Sequence, residues 1–401
     1  MKKYKLIELV SNVISGEWGE DATHKPSDVK VIRTTNFTNT GQLNLNKSLV
    51  YRHIDETKVL KKQLKSGDTI IEKSGGSPAQ PVGRVVFFEE TEDTYLCNNF
   101  TSILRPNTKV IEPKYLFYLL FNLYHQRKVM KFQNKTTGII NLKLEQYLNG
   151  TEVVISNKKI QCKIVEILDS TYLLINKRQS QIAALDELIQ SVFLDMFGDI
   201  VQANKWNRMN FGDICETRLG KMLDKKRQDH LIQKYYLGNR HVQWGNFELD
   251  NLPQMGFSEQ ELEKFALKKG DLLICEGGEV GRCAIWQWDD RNIYFQKAIH
   301  RARVNKNLAT AEYIQYVMFF FSQNNGFKDY TTTSTIAHLT GVKLNKLPIP
   351  LPPIELQDVF GEKIKEIEKQ KLLLEKSLKK IQSLYNSLIH KAFQGELIQE
   401  E

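Results

Sequence analysis

Two acidic clusters are the first candidates for chemistry in this sequence. Asp68 with Glu72-Lys73 has the ingredients of a metal-assisted nuclease, in which carboxylates hold a cation. The corresponding Asp271 with Glu276 has no adjacent lysine. Both aspartates follow a glycine and precede an apolar run, which reads more simply as a turn leading into a strand. Methyl transfer would call for a glycine-rich loop after a strand and an Asn/Asp-Pro-Pro-aromatic motif. The one proline pair, Pro352-Pro353, precedes Ile354 instead. No G-x-x-x-x-G-K-[ST] phosphate loop occurs. The eight histidines lack metal-ligand spacing, and the five cysteines (Cys97, Cys162, Cys215, Cys275, Cys283) form no C-x-x-C pair. We expect no catalytic residue, no metal and no cofactor in this chain.

Binding suits other residues better. Lys73-Ser74-Gly75-Gly76-Ser77 leads to Val82-Gly83-Arg84, and Glu276-Gly277-Gly278-Glu279 leads to Val280-Gly281-Arg282. Glycines let backbone N–H groups approach phosphate, and arginine pairs with phosphate or guanine. A glycine hairpin with an arginine on a strand is an equally weighted reading. Lys135-Thr136-Thr137 and Thr331 with Thr332, Thr333, Ser334 and Thr335 present short hydroxyl side chains. These can donate to phosphates or base edges, or simply form solvated loops. Lys297, Arg301, His338 and His300 complete the candidates for DNA contact.

The elements that must position these loops form an internal repeat. Leu64-Lys-Ser-Gly-Asp-Thr-Ile-Ile matches Leu267-Lys-Lys-Gly-Asp-Leu-Leu-Ile, and Val82-Gly-Arg84 matches Val280-Gly-Arg282. Tyr115-x-x-Tyr118-x-x-Phe121 matches Tyr313-x-x-Tyr316-x-x-Phe319, and Val153–Gln161 runs parallel to Ile349–Gln357. Strand-like runs begin at Asp68, Arg84 and Asp271, and helix-like segments span 114–131 and 311–324.

Each copy ends in a long apolar ladder stepping by fours and threes. The first runs through Ile160, Ile164, Ile167, Thr171, Leu174, Arg178, Gln181, Leu185, Leu188 and Val192. The second runs through Phe360, Ile364, Ile367, Lys371, Leu374, Leu378, Ile381, Tyr385, Leu388 and Ala392. Heptad stripes of this kind pack on one another. The second globular segment leaves the end of one helix and returns to the start of the other, so an antiparallel pair is expected. The resulting architecture is α+β with a pseudo-twofold repeat. Globular domains are expected at 1–156 and 199–353, a long helix at 157–198, and a second long helix with the C-terminal tail at 354–401.

Composition narrows the setting. The 401 residues are 41% hydrophobic and 26% charged, enough for real cores. The net charge of +9 suits a polyanionic partner. Unpaired cysteines, no signal-like apolar start and no 18-residue apolar run point to a cytoplasmic protein with no membrane span.

The chain resembles the specificity subunits of Type I restriction–modification systems. The resemblance rests on Leu267-Lys-Lys-Gly-Asp-Leu-Leu-Ile with Gly-Gly and Val-Gly-Arg, on Thr335-Ile-Ala-His-Leu-Thr-Gly-Val-Lys-Leu, and on Leu347-Pro-Ile-Pro-Leu-Pro-Pro-Ile-Glu-Leu-Gln357. Ser387-Leu-Ile-His-Lys-Ala-Phe-Gln-Gly-Glu-Leu397 adds to it, whereas Thr137-Gly-Ile-Ile-Asn-Leu departs from the fuller pattern. The resemblance implies two target recognition domains, each reading half of a split double-stranded DNA site. It implies helices that act as a ruler and dock two methyltransferase subunits together with restriction–translocase subunits. S-adenosylmethionine, ATP and Mg2+ would then be held by those partners. The alternatives are a stand-alone DNA-binding protein of the same architecture, or an enzyme with unrecognised nuclease or methyltransferase motifs.

Overall fold

The computed structural model describes residues 2–22, 28–46, 49–77, 80–90, 92–136, 139–223, 231–289, 292–331 and 338–398. The fold is α+β and divides into two compact units. One comprises residues 1–179 with 376–401, the other residues 180–375.

The first unit is built on an antiparallel sheet in the order Val10–Ser15, Thr101–Pro106, Thr69–Glu72, Val85–Phe87. The second unit has Cys215–Leu219, Ile299–Val304, Leu272–Cys275 and Cys283–Ile285 in the same order. Each unit adds a second sheet containing one parallel pair, Val29–Ile32 with Tyr95–Cys97 and Ile232–Leu237 with Ile293–Phe295. Each also closes with a short antiparallel tie: Lys2–Lys5 with Glu152–Ile155, and Arg208–Asn210 with Pro348–Pro350. The repeat read from short sequence matches is thus a repeat of topology.

The expected short helices are present at Pro113–His125 and Ala311–Gln323. The first stops six residues before Lys131. Arg127 takes a left-handed conformation (φ 58°), and a 3-10 turn over Lys128–Phe132 follows. Nine residues of Pro113–His125 are buried, among them Tyr115, Tyr118 and Phe121, so it is a core helix rather than an amphipathic surface one.

The long helices span Lys158–Phe197 and Ile354–Gln394. Both are followed by a left-handed glycine, Gly198 (φ 77°) and Gly395 (φ 79°), as a helix stop requires. In the first unit, Tyr172 meets Tyr385 with ring centroids 5.9 Å apart. In the second, Phe193 meets Phe360 at 5.5 Å and Lys371 pairs with Asp186. Positions rise along one helix as they fall along the other, so the two pack antiparallel.

The second ladder faces inward along its length, with Phe360, Ile364, Tyr385 and Ala392 buried and Ile367, Leu374, Leu378, Ile381 and Leu388 half-buried. The first ladder drifts. Ile160 and Ile164 are buried and Ile167, Leu185 and Val192 half-buried, but Leu174 and Leu188 are 54% and 45% exposed. Leu168, Ile175, Ile189, Phe193 and Phe197 are buried in their place. An α-helix turns every 3.6 residues, so a strict 3.5-residue ladder leaves the buried face unless the helix supercoils to follow it.

One device recurs where each long helix meets its unit. Gln161, 1% exposed, accepts from Glu112 N (2.8 Å) and donates to the carbonyls of Ser156 (2.9 Å) and Val110 (3.3 Å). Gln357, fully buried, accepts from Thr310 N (3.0 Å) and donates to Pro352 O (2.9 Å) and Leu308 O (3.2 Å). Each glutamine pins the first turn of a long helix to the start of a short one.

Candidate nucleic-acid interface

The buried carboxylates are structural. Asp68 accepts from Lys65 N (2.8 Å) and from Arg105 Nε and Nη2 (2.9 and 2.8 Å). Asp271 repeats this with Lys268 N (2.8 Å) and Arg303 Nε (2.8 Å). Each closes the turn that begins a strand and neutralises an arginine on the neighbouring strand. Among the described residues no group of three or more His, Cys, Asp or Glu side chains could hold a metal ion.

The Val-Gly-Arg positions take the hairpin form. Gly83 (φ 107°) and Gly281 (φ 79°) are left-handed, and a Cβ on them would lie 3.0 Å from Val129 and 2.4 Å from Phe327. Only glycine fits there. Arg84 makes a bidentate pair with Glu72 (both contacts 2.9 Å), a carboxylate that is itself 3% exposed. In the second unit Cys275 occupies the position of Glu72, because Cys275 N bonds Arg282 O as Glu72 N bonds Arg84 O. Arg282 therefore turns to Asn239 O (2.9 Å) and Glu279 (3.3 Å).

The chosen loops do come together. Ser74–Gly76 pairs with Ile139–Leu142, which pairs with Gln133–Thr136, so Ser74 to Gly76, flanked by Lys73 and Ser77, and the strand carrying Lys135 and Thr136 belong to one three-stranded sheet. Gly75 (φ 106°) is open to solvent on its Cβ side, and Ser74 bonds Asn141. Lys73 donates to Ser15 Oγ (2.7 Å), and partial burial lowers its pKa. In the second unit Leu339 N bonds Glu276 O (2.7 Å) as Leu142 N bonds Lys73 O (2.7 Å), which brings the segment holding exposed His338 to the Gly277-Gly278 loop. Gly278 is exposed, whereas Gly277 is buried with its carbonyl accepting from Asn239 Nδ2 (2.6 Å). Lys297 is exposed next to Ala298, whose carbonyl accepts from Glu276 N (3.0 Å). Thr137, Thr332, Thr333, Ser334 and Thr335 lie outside the described residues.

Arg301 is a correction. Its side chain is 2% exposed and donates to Ala266 O (2.9 Å) and Lys264 O (3.3 Å), so it braces the strand Ile299–Val304 rather than facing solvent. His300 is likewise 2% exposed; burial lowers its pKa, and its Nε2 has no partner among the described residues. Conversely, Arg127, Lys128 and Lys131 are all exposed on the segment that leads into Gln133–Thr136. The run Arg127-Lys-Val-Met-Lys-Phe132 is a basic stretch interleaved with apolar residues, and the helix expected over 114–131 hides it by extending past the true helix end at His125.

The family model for the Type I restriction modification DNA specificity domain matches residues 2–184 and again residues 203–383. A putative type I restriction enzyme MjaX specificity subunit from Methanocaldococcus jannaschii is 22% identical, over 94% of this chain and 90% of its own. A chain from work on complex assembly and conformational transition of the type I R-M system aligns with TM-score 0.61 at 15% identity, covering 99% of this chain and 98% of its own. The Type I restriction-modification S subunit from M. genitalium aligns with TM-score 0.56 at 14% identity, covering 98% and 96%.

Proposed function

The chain belongs to the Type I restriction modification DNA specificity domain family, and from that premise we propose that it is the sequence-specific DNA recognition subunit of a Type I restriction–modification complex. The observation that carries the finer reading is the duplicated topology. Two units with one strand order and one helix-pinning glutamine each suit two half-sites of a split target. Residues 1–156 and 199–353 are the recognition domains, and the paired helices set the spacer and dock two methyltransferase subunits. In the first domain the exposed loop around Gly75, the strand carrying Lys135 and Thr136, and Arg127, Lys128 and Lys131 supply phosphate and base contacts. Gly278, Lys297 and His338 do so in the second. Bond making and breaking then fall to partners: a methyltransferase using S-adenosylmethionine and an ATP- and Mg2+-dependent translocase–nuclease. No described helix is long and apolar enough to cross a membrane.

The test replaces residues 1–156 with the matching domain of a relative in a host carrying the intact system, then maps the methylated positions. One half of the recognised sequence should change and the other remain. A change in both halves would refute independent reading by the two domains.

A further inference from the structure

The two units differ at one place in a way the reading of DNA half-sites does not require. The first unit has a pocket of about 420 Å³ lined by Asn39, Gln80, Arg84, Phe121, Tyr124 and His125, among others. That volume lies in the range of small-molecule sites, about 300–1,000 Å³. The second unit fills the corresponding place with its own side chain.

The correspondence is fixed by shared contacts. Thr34–Asn36 and Asn239–His241 are matching 3-10 turns. In each, the third side chain accepts from the backbone N just before the turn, Asn36 from Arg33 (2.9 Å) and His241 from Gly238 (2.8 Å). In each, the Val-Gly-Arg arginine donates to the carbonyl of the first turn residue, Arg84 to Thr34 (3.4 Å) and Arg282 to Asn239 (2.9 Å). Three residues beyond the turn stand Asn39 and Trp244. The Trp244 ring packs edge-on against Phe319, centroids 5.1 Å apart, and its indole N–H donates to Glu279. Phe319 is the counterpart of Phe121 in the Tyr-x-x-Tyr-x-x-Phe repeat.

In the first unit the indole is replaced by the short Asn39, and Ser322 and Gln323 by Tyr124 and His125. One internal ring is lost and two wall rings are gained. Phe121 and His125 already stand 4.3 Å apart, centroid to centroid. At the mouth, Gln80 Nε2 donates to Asn39 Oδ1 (3.0 Å), which aligns two amides of the kind that pair with the edge of adenine.

We infer that this pocket binds a planar nitrogen heteroaromatic of the purine class, held by the Phe121, Tyr124 and His125 rings with its polar edge at Asn39 and Gln80. The Trp244 indole is the second unit's built-in equivalent of that ligand. Two sources supply such a ring, a free nucleoside or a base turned out of the duplex. The inference does not depend on DNA reading, since a free nucleoside suffices.

The test uses the full chain in two arms. Adenosine is titrated by calorimetry, and target duplexes carrying 2-aminopurine at successive positions are followed by fluorescence, with duplex binding measured alongside. Asn39→Trp reproduces the plug of the second unit at an exposed position. It should weaken whichever signal the parent gives by about tenfold or more, the scale of losing a stacked base. His125→Ala should weaken it several-fold, and it decides the matter if circular dichroism shows Asn39→Trp misfolded. Adenosine binding lost in the variants assigns a free-ring site; a 2-aminopurine signal lost in them assigns a base from DNA. If the parent binds duplex yet shows neither signal, or if both variants retain the signal, the pocket inference falls and the DNA reading stands. Pocket-dependent adenosine binding without duplex binding would leave the inference standing and overturn the DNA reading.

Discussion

Replacing Gln357 with methionine keeps the unbranched shape and removes the polar head. The fully buried amide makes three hydrogen bonds, to Thr310 N, Leu308 O and Pro352 O. Methionine leaves all three backbone groups without that partner. A buried group left unsatisfied costs about 1–3 kcal/mol. The N–H carries most of the penalty, because a carbonyl left short of partners is better tolerated. We expect a loss of about 3 kcal/mol, or about 6–12 °C in the melting midpoint of a unit of this size. Scanning calorimetry should show the shift in the transition of the second unit. Hydrogen exchange at the Thr310 amide should accelerate with it. Gln161→Met should do the same to the first unit, through Glu112 N, Val110 O and Ser156 O. A midpoint shift below about 2 °C with the Thr310 amide still protected would refute the pinning role.

The arginines of the two Val-Gly-Arg motifs should separate. Arg84→Ala strands the buried Glu72 carboxylate and should cost about 3–5 kcal/mol in urea unfolding. Arg282→Ala leaves no such charge behind and should cost roughly 1 kcal/mol; equal losses would show that the partner exchange is energetically empty. His300, held neutral by burial, should make the second unit acid-sensitive. Its folded pKa lies below its ordinary value, so the unfolded chain takes up the proton first. Stability is therefore full above about pH 6.5 and falls as pH drops below it. His300→Asn should flatten that slope in melting curves taken from pH 7.5 to 5, and an unchanged slope would assign it to other groups.

The sequence showed its long-range plan more clearly than its side-chain partners. Short matching runs carried the duplication, and the second helix's ladder lies on its inner face, with Leu374 less exposed than its neighbours Leu372 and Leu373. The first helix offers Leu173, Leu174 and Ile175 in succession. Periodicity alone does not select Ile175, the one that is buried. Arg301 looked like a DNA contact because strand position does not reveal which carbonyls surround a guanidinium. The Asp68–Arg105 and Asp271–Arg303 pairs join residues 37 and 32 positions apart, a closeness that only the folded sheet creates. Trp244 and Asn39 correspond through the contacts of the two 3-10 turns, Arg84 to Thr34 and Arg282 to Asn239, and no local run of sequence aligns them.

The first unit is discontinuous in the chain, and this bears on synthesis. Its core includes Tyr385, Ile389 and Ala392 together with Leu6, Tyr118 and Ile164. A nascent polypeptide holding residues 1–179 cannot complete that core. It must wait while the ribosome makes the whole of the second unit, residues 180–375, and the segment from 376 onward. At about 5–20 residues per second the wait is roughly 10–45 s, during which the apolar face of the Lys158–Gln179 portion of the first long helix has no partner strand of chain. The second unit, continuous in sequence, closes first. The order of birth and the order of folding are therefore reversed, and a message truncated before codon 376 would yield a protein whose later half is sound and whose earlier half is not.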